Sequence, residues 1–149
     1  MSKPGEQRPS REEFRYIHPI ETRWSDNDVY GHVNNVVYYS YFDTAVNAYL
    51  IAECGLDIHA GRVIGLVVET GCRYYSALSY PERLSVGVRV DHLGNSSVIY
   101  ETAIFREGES QASASGRFVH VYVDRESRRP CPLPDVMRAG LKAILKVGA

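Results

Sequence analysis

Between residues 62 and 123 the chain alternates apolar and polar side chains four times, with short turns between the runs. In residues 62–75, Ile64, Leu66, Val68, Thr70, Cys72 and Tyr74 fall on one side of a period of two. Leu84, Val86, Val88 and Val90 then alternate with Arg83, Ser85, Gly87, Arg89 and Asp91. Gly94-Asn95 leads into a run over 96–106, and Glu107-Gly108 into one over 111–123. Successive side chains of a strand point to opposite faces, so this pattern predicts an antiparallel meander with one buried face.

That buried face needs a partner, and residues 34–54 supply one. Tyr38, Tyr41, Phe42, Ala45, Tyr49 and Ala52 recur at helical spacing, and Val37, Ala48 and Leu50 widen the stripe. A helix so broadly apolar is expected to be largely enclosed. Asn34 or Asn35 is a good N-cap, and Gly55 a plausible stop. Residues 14–24 read as a first strand, with Phe14, Tyr16, Ile20, Thr22 and Trp24 on one side, and Pro19 suggests a sheet edge. Residues 136–145 read as a short terminal helix on the sheet edge or rim. The order is strand, long helix, four strands, short helix: an α+β fold in which one long central helix is wrapped by a curved antiparallel sheet. Residues 1–13 are polar, with Pro4, Gly5 and Pro9, and are expected to be a disordered tail before one domain over 14–149.

The functional signal lies where the first strand meets the helix. Residues 24–35 read W-S-D-N-D-V-Y-G-H-V-N-N. Backbone N–H groups at a helix N-terminus are unpaired and carry partial positive charge, so they can hold an anion or a developing oxyanion. A carboxylate at the same spot can attack a carbonyl or activate water. Asp28 can alternatively close an Asx-turn, a common task for a loop aspartate. Asp26 is assigned to holding the loop, by accepting backbone hydrogen bonds or pairing with Arg23. Asp43, on the helix, is the reserve carboxylate.

Composition narrows the field. The net charge of −1 gives no electrostatic case for nucleic acid. Cys54, Cys72 and Cys131 form no C-x-x-C and no pairing framework, which fits free thiols in a reducing cytoplasm. No apolar run is long enough to span a bilayer, so a cytoplasmic location without membrane association is expected. There is no G-x-S-x-G elbow, H-E-x-x-H, metal-spaced cysteine–histidine cluster or phosphate-binding glycine loop. No cofactor and no metal are expected.

The run R-W-S-D-N-D-V-Y-G-H-V-N-N-V-V-Y-Y-S-Y-F-D resembles the signature of hotdog-fold thioesterases of the 4-hydroxybenzoyl-CoA thioesterase type: aspartate, two residues, glycine, two residues, asparagine, then a Tyr/Phe-rich helix. The resemblance extends over nearly the whole chain. It implies a hotdog fold, with two subunits joining their sheets as a homodimer or tetramer and active sites at the subunit interface. It implies metal-free hydrolysis of acyl-CoA or acyl-carrier-protein thioesters, with Asp28 as the catalytic carboxylate and the backbone N–H near Asn35 polarising the carbonyl. Whether Asp28 acts as nucleophile or general base stays open. Gly31 would admit the substrate closely, His32 would orient the thioester, and Asn34 would cap the helix beside it. Tyr38, Leu66 and Val68 would line the acyl site, although burial in the core or sheet explains them equally well. Arg73, Arg89, His92 and Arg106 are candidate contacts for CoA phosphates. Two other readings stay open: an acyl-CoA-binding domain without turnover, and a hotdog enoyl-CoA hydratase or dehydratase.

Overall fold

The computed structural model describes residues 7–147. Its elements are β1 (Tyr16–Glu21), α1 (Asn35–Glu53), β2 (Val63–Tyr74), β3 (Arg83–Leu93), β4 (Ser97–Arg106), β5 (Ala114–Asp124) and α2 (Asp135–Lys142), with single 3₁₀ turns at Arg11–Glu13 and Trp24–Asp26. The strands form one antiparallel sheet in the order β1-β3-β4-β5-β2. The meander β3-β4-β5 is the centre. Pro19 lies on edge strand β1, where a missing N–H costs no ladder bond. Trp24, read as the end of that strand, instead begins a 3₁₀ turn.

α1 lies across one face of the sheet. Its Tyr38, Tyr41, Phe42, Ala45, Val46, Tyr49 and Leu50 are buried against Val86, Val88, Val90, Tyr100, Ile104 and Phe118. Phe42 alone, fully buried, contributes about 2–3 kcal/mol of apolar transfer. It reaches the sheet because Gly116 has no side chain: a Cβ there would lie 2.8 Å from the Phe42 ring. The helix is not enclosed on all sides, since Val36, Ser40, Asp43, Thr44 and Ile51 remain exposed. At its far end Cys54 is the C-cap and Gly55 adopts φ +69°. There α2 crosses at Gly140, whose carbonyl accepts a hydrogen bond from the Tyr49 hydroxyl at 2.5 Å. The chain then joins β3 through Val90 N–H to Ile144 and Lys146 N–H to Val90.

Two further expectations are corrected. The first concerns β2. Its register with β5 shifts between Val67 and Glu69, leaving Val68 as the extra residue of a bulge. Cross-strand partners share a face. Thr70, Cys72 and Tyr74 pair with Phe118, Gly116 and Ala114 and face the helix. Beyond the bulge it is Gly65 and Val67 that pair with inward-facing Tyr122 and His120, so Ile64 and Leu66 lie on the opposite face. The bulge breaks the parity that the alternation suggested.

The second concerns the N-terminal segment. Residues 1–6 lie outside the described residues, but the stretch from Arg8 to Glu13 is held against the fold instead of forming the expected disordered tail. Ala112 N–H donates to Pro9 and Arg11 N–H to Ser110. The Arg11 side chain donates to Ser85 Oγ at 2.7 Å and to the carbonyls of Arg106 and Glu109. Phe14 then joins Ala103, Phe105 and Ala112 in a small cluster on the sheet face away from α1.

Candidate active site

The loop ahead of α1 is built around Asp26. Its side chain is almost wholly buried, 1% exposed, and its carboxylate accepts from Arg23 N (2.8 Å), Arg23 Nε (3.0 Å) and the Tyr41 hydroxyl (2.6 Å). Burial by itself would raise the Asp26 pKa. The hydrogen bonds from Tyr41 and Arg23, with the Arg23 charge, outweigh that and hold the carboxyl below its usual value. Asp26 is thus a carboxylate with its oxygens already committed. Tyr41, whose hydroxyl pKa is raised by burial first and by Asp26 second, remains a donor.

From Asp26 the chain makes a small hairpin. Asn34 N–H donates to the Asp26 carbonyl and Asp28 N–H to the His32 carbonyl, both at 2.9 Å, and Asn27 pairs with Val33. Gly31 turns the tip at φ +81°, with its N–H on the Asp28 carbonyl. Asp28 Oδ1 accepts the Tyr30 N–H at 2.9 Å, which closes an Asx-turn. The other oxygen, Oδ2, has no protein donor among the described residues. The loop is sewn to the β2–β3 connection by Val33 N–H to Leu78, Ser79 Oγ to Gly31, and Tyr80 N–H to Asn27 Oδ1.

The helix mouth follows directly. Asn34 is the N-cap: its Oδ1 accepts the Val36 N–H at 3.0 Å and its carbonyl the Val37 N–H at 2.9 Å. The Asn35 N–H has no acceptor among the described residues. From the sheet side, the Tyr74 hydroxyl reaches the Asn35 carbonyl at 3.3 Å, and the Tyr74 ring meets Tyr38 edge-on at 4.9 Å. Burial first, and the neighbouring Cys72 second, raise the Tyr74 pKa. Burial likewise pushes the Cys72 thiol up to about 11. Both groups therefore stay neutral at neutral pH.

Asp28 also lines an open cleft of about 560 Å³ with Trp24, Ser25, Asn27, Val29 and Gly31. Trp24, Val29 and Tyr30 around it are strongly exposed apolar side chains, and Trp24 stands edge-on to Tyr80 at 5.9 Å. The arrangement presents one carboxylate oxygen on the hairpin, beside apolar side chains, and one unpaired backbone N–H at the helix mouth that follows it.

Of the residues singled out from the sequence, Asp28, Gly31, His32, Asn34 and Asn35 come together on this hairpin and helix mouth. Tyr38 sits beneath them, 3% exposed, with its ring among Tyr41 and Tyr74; it belongs to the core under the site instead of the site's open surface. Leu66 and Val68 are not brought to the loop within one chain. They lie six to eight residues from Tyr74, or ~20–26 Å along the strand, exposed at the free edge of the sheet. Arg89 is paired with Glu101 on the sheet, whereas Arg106 is paired with Glu82 and donates to the Ala77 carbonyl, within the β2–β3 connection that braces the loop. Asp43 bonds Asn47 on the exposed side of α1. Among the described residues no group of three or more His, Cys, Asp or Glu could hold a metal. No helix among them is long and apolar enough to cross a membrane. Tyr74 and the Tyr41 hydroxyl were not legible as parts of the site. Alternation gives the face of Tyr74, but its reach to the helix mouth is a tertiary fact.

Known proteins share this fold. The crystal structure of the PA5185 protein from Pseudomonas aeruginosa strain PAO1 is similar over 96% of this chain and all of its own, with 54% identity and a TM-score of 0.94. A thioesterase from Thermus thermophilus, solved with coenzyme A and zinc, is 31% identical, covering 87% of this chain and 98% of its own, at a TM-score of 0.72. An uncharacterised Bacillus subtilis protein, YsmA, is 25% identical over 76% of each chain. The model of the thioesterase-like superfamily matches residues 22–141. That match spans the loop, the helix mouth and the whole of the sheet after β1, and the chain belongs to the thioesterase-like superfamily.

Proposed function

We propose that this chain hydrolyses the thioester of an acyl-CoA or acyl-carrier protein, with Asp28 as the reacting carboxylate and the Asn35 N–H as the donor to the thioester oxygen. The observation that carries the reading is the free Oδ2 of Asp28. Its Asx-turn occupies one oxygen, so the side chain is held in place while the other oxygen stays available beside an open cleft. Asp26, the neighbouring carboxylate, is spent on Arg23 and Tyr41.

Two routes satisfy the chemistry. Asp28 can take a proton from a water whose oxygen adds to the acyl carbon; the tetrahedral oxyanion is held by the Asn35 N–H, then collapses and expels the thiolate, which takes up a proton. Alternatively Asp28 adds directly, the thiolate leaves, and water cleaves the resulting mixed anhydride. Both give free acid and thiol. A positioned backbone donor is worth about 3 kcal/mol at such an oxyanion. The D-x-x-G-x-x-N spacing of Asp28, Gly31 and Asn34 supports the 4-hydroxybenzoyl-CoA thioesterase type of site. The Thermus thermophilus thioesterase with coenzyme A supports CoA as the carrier.

The same reading includes a homodimer or tetramer. β2 is a free edge strand of 12 residues with Leu66, Val67, Val68 and Tyr74 exposed, and such an edge invites pairing. A second copy adding antiparallel to it would set its own Leu66 and Val68 near Tyr74, and so near Asn35. That would reunite in trans the residues that lie apart in one chain. Free thiols at Cys54, Cys72 and Cys131 support a cytoplasmic setting.

The test is thiol release across a panel of acyl-CoAs, from acetyl to long-chain and aromatic, with wild type and Asp28→Asn. Turnover by wild type, lost in Asp28→Asn with fold and oligomer unchanged, is the expected outcome. Unchanged turnover in the variant removes Asp28 from the mechanism, and binding without turnover by wild type favours a ligand-binding domain.

A further inference from the structure

We infer that Tyr74 is a positioning residue for the oxyanion donor: its hydroxyl, anchored on the rigid end of β2, holds the Asn35 carbonyl, in the peptide that follows the Asn35 N–H, and so fixes from its other side the residue whose N–H points at the reacting carbonyl. This deepens the hydrolase reading above and rests on it.

The first turn of a helix is its weakest part, because the leading N–H groups lack intrahelical partners. Here the cap secures the second and third of them, Val36 and Val37, through Asn34. The Asn34–Asn35 peptide, which carries the Asn35 N–H, is held on that side by the bond from Val37 to the Asn34 carbonyl, while the peptide on the other side of Asn35 begins at its own carbonyl. Asn35 is exposed, and its N–H has no acceptor among the described residues. The group that reaches it is Tyr74 Oη, at 3.3 Å from its carbonyl. A carbonyl oxygen carries two lone pairs, so this bond adds to the helical one instead of replacing it.

Tyr74 is suited to such a task. It closes β2, where it pairs with Ala114, and the following Tyr75 and Ser76 N–H groups both donate to Ser113. Its ring is braced edge-on by buried Tyr38. The raised pKa keeps the hydroxyl a donor throughout the neutral range. The strand end and the helix mouth are thus tied by a short, rigid side chain. A backbone donor stabilises a transition state only if it is already aimed at the oxyanion, and small misplacements are costly.

The experiment is Tyr74→Phe in the full chain, which keeps the ring and removes one hydroxyl. Loss of one neutral hydrogen bond should lower kcat about five- to tenfold, leave KM within about twofold, and leave the pH profile of kcat unmoved. Two ligands separate positioning from packing. One is a non-hydrolysable analogue with a methylene in place of the thioester sulfur, which retains the carbonyl. The other is an S-alkyl-CoA thioether, which lacks it. The variant should weaken the carbonyl analogue several-fold more than the thioether. Wild-type kcat in the variant, or equal weakening of both analogues, overturns the positioning role while leaving the hydrolase reading intact. Absence of turnover by wild type on every acyl-CoA overturns the hydrolase reading itself, and the inference with it.

Discussion

Replacing Asp26 by alanine should unfold the loop's anchor without touching the reacting carboxylate. Three donors would lose their acceptor. The Tyr41 hydroxyl, in a residue 5% exposed, would be stranded in the core, which costs about 1–3 kcal/mol. The charge-assisted bond from Arg23 N–H is worth about 1.5–3 kcal/mol. The Arg23 guanidinium is 70% exposed and regains water, so its loss adds only a few tenths. Relief from burying the charge offsets part of the sum, leaving about 3 kcal/mol. With a urea m-value of about 2 kcal/mol/M for a chain of this size, the midpoint should drop by about 1.5 M. Tyr41→Phe removes one donor and leaves Arg23 in place, so it should cost only about 1–2 kcal/mol. Combining the two should cost no more than Asp26→Ala alone, since the stranded hydroxyl is gone. The folded-state pKa of Asp26 lies below the unfolded value of about 3.9. Its stabilisation is therefore complete above that value and fades as pH falls through the lower one. The gap between wild type and variant should be full at pH 7 and should begin to narrow as pH falls below about 4. Urea unfolding followed by tryptophan fluorescence, using Trp24, and by circular dichroism reads all of this. A variant within 0.5 kcal/mol of wild type at pH 7, on the order of an ordinary surface change, would refute the account of the loop.

The remaining predictions concern the sheet. His120 is 4% exposed, with its Nε2 unpartnered and Nδ1 3.5 Å from the Tyr122 hydroxyl, and burial lowers its pKa to about 4. Below about pH 6.5 the unfolded chain takes up a proton that the folded chain refuses, so stability should fall from pH 6.5 to 4 by up to about 3 kcal/mol. His120→Gln should flatten that part of the stability–pH curve, and an unchanged slope would contradict the burial argument. A Cβ at Gly87 would lie 2.5 Å from Phe14 Cγ, so Gly87→Ala should expel Phe14 at a cost of about 1–3 kcal/mol. Trypsin should then cut at Arg11 or Arg15 several-fold faster than in wild type, and equal digestion rates would show that the segment is not held by that contact. A charge on the free edge, Val67→Glu, should shift light-scattering mass towards the monomer and lower thioester turnover with it; an unchanged mass would remove β2 as the seam.

Much of this was legible in the sequence, for physical reasons that differ from one element to the next. The period-two runs over β3, β4 and β5 gave the meander because one face is buried throughout. Pro19 gave the edge because proline cannot serve an inner strand. The loop gave its own cap, since Asn34 does locally what an asparagine at that position does. The assignment of Asp26 to the loop's framework, and the alternative of an Asx-turn at Asp28, also needed only local chemistry. What did not come through was non-local. A bulge at Val68 leaves no mark in a run of apolar residues, so Ile64 and Leu66 were read on the wrong face. The docking of Arg8 to Glu13 depends on Gly87, far along the chain from Phe14, and on carbonyls at the far end of β4, and composition alone cannot foresee such a site. Tyr41 and Tyr74 looked like core aromatics; their hydroxyls find Asp26 and Asn35 only once the helix is laid on the sheet.

The extra residue at Val68 has a consequence for any copy that adds along β2. A regular strand offers many equivalent slips of two residues, each preserving its faces, and so invites indefinite stacking. An irregular one does not. Its local twist and its unpaired backbone recur once per strand, and a two-fold axis would set the partner's irregularity at the matching place on the opposite strand. In a second copy added there, Val68 would act as a notch that restricts the slips available, and it would blunt the open-ended growth to which a bare 12-residue edge is otherwise prone.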